Sequence, residues 1–150
     1  MTITEVRSAT FIADLVIYIR NALNTNITDP IATSRTGNNK FVLTEYPQRP
    51  GKYPIITVTD TGTRQEGKLG MGSEGTALRV GVEIRIWARN VKERDTIFDE
   101  IYEYLRNNQL DGDDITGANL HDFSLNSVVN VSEENVKSKV MEVTYLFLAT

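Results

Sequence analysis

The stretch LRVGVEIRIWAR, residues 78–89, constrains the fold more than any other part of the chain. Leu78, Val80, Val82, Ile84, Ile86 and Ala88 point one way, and Arg79, Gly81, Glu83, Arg85, Trp87 and Arg89 point the other. Side chains alternate across a strand, so a period of two held this long means a strand with one apolar and one polar face. At Asn90 the period changes to about 3.6. Ile97, Phe98, Ile101, Tyr102 and Leu105 form a stripe along a helix, while Asp95, Asp99, Glu100, Glu103 and Arg106 mark its solvated side. Asn90 is placed as N-cap with Glu93 three residues on, in the manner of a capping box. A strand running directly into an amphipathic helix calls for a sheet whose apolar face is covered by helices.

The remaining segments fit that plan. Residues 10–23 carry Ile12, Leu15, Val16, Ile19, Ala22 and Leu23 at helical spacing, with Thr10 as candidate N-cap. Phe11, Ile17 and Tyr18 lie off the stripe, which gives this helix more than one apolar face and leaves room for a second subunit. NTNITDPIATSRTGNNK reads as a long loop. Residues 41–46 and 53–60 read as a connected strand pair around PQRPGK. Phe123, Leu125, Val129 and Val131 mark another strand, and VKSKVMEVTYLFLAT a terminal one. The expected fold class is α+β: a mostly antiparallel sheet of four to five strands with two main helices packed on one face, in the order α-β-β-β-α-β-β, within one domain spanning residues 1–150.

Composition narrows the chemistry. The chain has no cysteine, so neither a disulfide nor a thiolate site is available. The formal charge of −4 argues against a dedicated nucleic-acid binder. The apolar run from Phe11 to Ile19 is interrupted by Asp14 and is read as helix rather than as a signal, and no run is long enough for a membrane span.

GMGSEG, residues 70–75, spells Gly-x-Gly-x-x-Gly. A dinucleotide site needs those glycines in a strand-to-helix turn, where the helix N-terminus meets the pyrophosphate. Here a strand follows, so the glycines are read as part of a flexible β-connection. DGDD, residues 111–114, lacks the ligands of a calcium loop, since Ile115 and Thr116 stand where an oxygen donor and a glycine are required. His121 beside Asp122 has no activated serine motif to serve and is read as a solvated loop histidine. No cofactor, metal site or catalytic set is expected.

The outward row Arg79, Arg85, Trp87 and Arg89 is the main candidate site. Arginine and tryptophan are favoured where surfaces are buried in complexes. An exposed sheet face with cross-strand ion pairs, a subunit interface and a base-stacking surface all remain open for it.

This organisation resembles the tail terminator, or tail completion, family of tailed bacterial and archaeal viruses. The resemblance rests on the N-terminal helix, DPIATSR, FVLTEYPQRPGKYPIITV and VEIRIWARNVKERDTIFDEIYEYL, and covers most of the chain. It implies a homo-oligomer, a hexameric ring that ends polymerisation of the tail tube and joins the tail to the head connector and neck proteins. DNA passes through the lumen of such a ring without sequence-specific binding, and the ring belongs to the virion and performs no catalysis. Under this resemblance the Arg79, Arg85, Trp87 and Arg89 face makes subunit contacts or lines the lumen. The connection holding Gly62, Arg64, Gly67, Gly70, Gly72 and Gly75 is a mobile assembly loop, and Arg35 and Lys40 belong to a second loop that docks on an acidic partner. A head-completion or stopper protein, a small α+β enzyme with its site at a subunit boundary, and a host ligand-binding module are the other readings.

Overall fold

The computed structural model describes residues 11–35, 40–45, 52–69, 75–108, 120–133 and 135–149. The chain forms helix α1 (Phe11–Asn26), a 3-10 turn (Ala32–Ser34), strand β1 (Val42–Leu43), strand β2 (Ile55–Leu69), strand β3 (Gly75–Ala88), helix α2 (Val91–Asn107), strand β4 (Leu120–Ser132) and strand β5 (Lys137–Ala149). The protein is α+β, with the strands in one sheet ordered β1-β2-β3-β5-β4. All neighbours pair antiparallel except β1 and β2.

The alternation in β3 has the expected result. Val80, Val82, Ile84, Ile86 and Ala88 are fully buried, as are Met141, Val143, Tyr145 and Phe147 of β5 beside them. Leu15, Ile19 and Leu23 of α1 and Ile97, Ile101 and Leu105 of α2 close over this row and complete one core. Both helices therefore cover the same face. The entry to α2 is fixed by its cap: Asn90 accepts from Glu93 N–H at 2.9 Å, and Glu93 reaches back to accept from Arg89 N–H at 3.1 Å. This satisfies one of the free donors of the first helical turn and one just outside it.

Three expectations need correction. Tyr18, placed off the apolar stripe of α1, is buried in the chain's own core, because α1 packs across both β1 and β2 at the sheet edge. Residues 41–46 and 53–60 do not form a hairpin. Of residues 41–45, only Val42 and Leu43 enter the sheet, and they run parallel to Ile56 and Thr57. Glu100, assigned to the solvated side of α2, accepts from Thr28 N–H at 2.7 Å and so ties the end of α1 to α2.

The fourth correction is the largest. Gly62, Arg64 and Gly67 lie within β2 and Gly75 opens β3, with pairing continuous out to Leu69 and Gly75; Gly70 and Gly72 lie outside the described residues. The segment is mainly a long β-hairpin rather than a loop. Its glycines serve irregularities in the ladder, with register shifts between Asp60 and Gly62 and between Gln65 and Gly67. Gly62 takes φ +138°, a conformation that side chains disfavour. Gly81, opposite it, has no room for a Cβ because Thr61 Oγ1 fills the space. Glycine here bends and twists a paired strand instead of ending it.

Candidate interaction face

The sheet face away from the helices is open. Cross-strand register places its side chains in rows: Arg64, Arg79, Leu146 and His121; then Gly62, Gly81, Thr144 and Ser124; then Thr59, Glu83, Glu142 and Ser127. Two further rows follow, Thr57, Arg85, Val140 and Val129, then Ile55, Trp87, Ser138 and Val131.

Three of the four residues singled out in the sequence meet on this face. Trp87 lies half-buried, its indole N–H donating to Thr57 Oγ1 at 3.2 Å and its ring covered by the Arg85 guanidinium at 3.8 Å from the centroid. This is a cation–π stack that holds both side chains against the sheet. Arg85 also lies 3.9 Å from Glu133, just past the end of β4. Arg79 donates to the Asp122 carboxylate at 2.9 Å and to the Asp122 carbonyl at 3.3 Å. The carboxylate is aimed there by a positive φ of 53° at Asp122, inside an irregularity of β4. Arg64, Arg79, Asp122, Phe123, Ser124, Asn126 and Thr144 surround a shallow hollow of about 350 Å³ on this face.

Arg89 departs from the group. β3 ends at Ala88, and the Arg89 side chain pairs with Glu93 on α2. Burial alone would raise the Glu93 carboxyl, but hydrogen bonds from the Arg89 side chain and backbone, with the charges of Arg89 and Arg35, hold it below the usual carboxylate range. Arg89 opens instead onto a second hollow of about 420 Å³, lined also by Ile31, Ser34, Lys52 and Tyr53.

Arg35 is built into the fold rather than set out on a surface loop. Its side chain is only 7% exposed and pairs with Asp29. The guanidinium also donates to the carbonyls of Lys40, Lys52 and Pro54. It thereby clasps the chain on both sides of the connection from β1 to β2, and its five fixed donors suit that work. Lys40 is exposed and contributes its carbonyl to the clasp.

His121 lies half-buried in β4 rather than in a loop, and the carboxylate of Asp122 beside it is engaged by Arg79. Asp111 to Asp114 lie outside the described residues. Among the described residues no three His, Asp or Glu side chains are grouped to hold a metal ion, and no helix is long and apolar enough to cross a membrane.

Two features of the site escape sequence reading. Glu83 and Glu142 stand directly opposite each other on neighbouring strands, as do Arg64 and Arg79. The exposed valine Val129 falls on β4, which forms an edge of the sheet. The exposure of β4 follows from strand order, which no local pattern reports. In comparison with known proteins, the chain matches no family model and no curated protein.

Proposed function

We propose that this chain is a structural subunit of a virus tail, of the tail terminator type, whose copies form a ring that caps the tail tube. The observation that carries the reading is the contrast between the two sides of the sheet: one sealed by both helices, the other open and bearing Arg79, Arg85 and Trp87 in fixed positions. A stacked Arg–Trp pair held by the sheet is pre-organised for a protein partner, so little side-chain entropy remains to be lost on contact. The element order α-β-β-β-α-β-β is that of the family the sequence resembles. A patch that meets a different patch on the next copy closes into a ring when the rotation allows.

In this reading the open face contacts a neighbouring copy or the tube. The β2–β3 hairpin, whose Thr61, Gly62, Thr63 and Arg64 are exposed, reaches the tube or the head connector. The lumen of the ring passes DNA without reading its sequence. The test is the absolute mass by light scattering, for the chain alone and with the tail-tube protein of the same virus. A ring in solution, or one that forms only on the tube, supports the reading. A chain whose mass ignores the tube protein contradicts it. Trp87→Ala is expected to weaken tube association at least about tenfold while leaving the circular dichroism spectrum intact.

A further inference from the structure

We infer that the open sheet face also docks a second copy of this chain through a two-fold contact, a resting dimer of the free subunit. Two like-charge pairs lie on this face. Arg64 lies directly opposite Arg79, and Glu83 directly opposite Glu142. Like charges facing each other across neighbouring strands destabilise a sheet, and here one face carries two such pairs of opposite sign. Arg79 is offset in part by Asp122, whose side chain is 65% exposed, and Glu142 by Asn126, which donates to it at 3.4 Å. Both contacts lie at the surface, where water screens them.

The row between them is made of small residues: Gly62, Gly81, Thr144 and Ser124, with the Thr61 hydroxyl lying over Gly81. Sheets packed face to face normally stand about 10 Å apart, and a row of small side chains permits that approach. A two-fold axis lying along this row, in the plane between two copies, has a definite consequence. It turns the arginine row of each copy over the glutamate row of the other. Arg79 then faces the partner's Glu83, with Arg64 and Glu142 flanking, and the same pair recurs on the other side of the axis. One operation sets opposite charge against both like-charge pairs at once. The occupant is therefore a copy of the same chain: its face already carries the complementary rows at the matching spacing, two residues to either side of Gly81.

The contact does not rest on the ring proposal. Where a ring or tube uses the same face, the two compete, and the dimer holds the face covered until the tube displaces it. A free chain that dimerises but ignores tube protein would sink the ring reading and leave this one standing. A free chain that is hexameric would do the reverse.

The experiment is sedimentation equilibrium of the whole chain and of the variants Arg79→Glu and Glu83→Arg, each checked for folding by circular dichroism. The wild type is expected to dimerise reversibly, more weakly as salt rises from about 0.05 to about 0.5 M. Each variant alone is expected to lose dimer affinity by at least about tenfold, since both of its reciprocal contacts become like-charged. An equimolar mixture of the two variants is expected to regain a dimer. In the mixed pair, the carboxylate introduced at position 79 of one copy faces the guanidinium introduced at position 83 of the other, while the second contact keeps its native charges. A folding defect would not be repaired by mixing. If the reversed variants fail to fold, Arg79→Gln and Glu83→Gln are expected to weaken the wild-type dimer separately. A wild type that stays monomeric, or a mixture that stays monomeric, overturns the proposal.

Discussion

The two faces of β3 are built from one backbone and differ in almost everything else. On the helix side, five consecutive alternate residues are fully buried and purely apolar, and two helices complete their packing. On the other side, residues 79, 81, 83, 85 and 87 are two arginines, a glycine, a glutamate and a tryptophan, organised by ion pairs and a cation–π stack. The first face explains why the chain folds. The second leaves charged and aromatic side chains outside the core, with like charges opposite each other twice.

The sharpest way to probe this contrast is to make one cut on each face. Ile84→Ala opens a cavity in the core that the helices cover and is expected to cost about 2 to 5 kcal/mol of unfolding free energy, read from a denaturant midpoint. Val129→Ala on the open side, where Val129 is 54% exposed, is expected to stay within about 0.5 kcal/mol. Similar losses for both would erase the distinction between a structural and an interaction face.

Arginines supply the next comparison. Arg35→Ala would strand the Asp29 carboxylate and several backbone carbonyls, with an expected loss of about 3 kcal/mol, only partly recovered by Arg35→Lys. Arg79→Ala removes a pair whose carboxylate is largely exposed, and a loss under about 1 kcal/mol is expected in the same assay. Equal costs would mean that Arg79 is as structural as Arg35.

The smallest effect is with acid. Glu93 is held below the usual carboxylate range by Arg89, as described above, and Asp95 by hydrogen bonds from Arg94 and Lys139. A depressed folded-state value means that the unfolded chain takes up protons first. The stabilisation is complete above the ordinary carboxylate values, near about pH 4, and is lost as pH falls through the lower folded ones. Both carboxylates anchor α2. A pH-dependent melting series should therefore show a modest decline below about pH 4, and Glu93→Gln should flatten part of it.

The helix-covered face was readable in the sequence because its cause is local. Alternation at Val80 to Ala88, the change of period at Asn90 and the capping pair Asn90 and Glu93 each sit within a few residues of what they determine. The hairpin was not readable in the same way. Glycines at 62, 67 and 75 are equally at home in a loop and in a bulged strand, and the ladder that decides between them comes from residues on the far side of the turn. The setting of Arg35 was hidden for a related reason: Asp29, Lys40, Lys52 and Pro54 converge on it only once β1 lies parallel to β2. The Arg85 and Trp87 stack followed from their shared parity in β3. The opposition of Glu83 and Glu142 required the register with β5. Arg89 left the row because β3 ends one residue before it and α2 claims its side chain.

The proposed role of the open face is assembly at the end of a tail tube. Its most direct test is the length of tubes grown from purified tail-tube protein with increasing amounts of this chain, measured by electron microscopy. Shorter tubes carrying a ring of this protein at one end are expected, an effect lost in Trp87→Ala. Tubes of unchanged length with no density at their ends would contradict it.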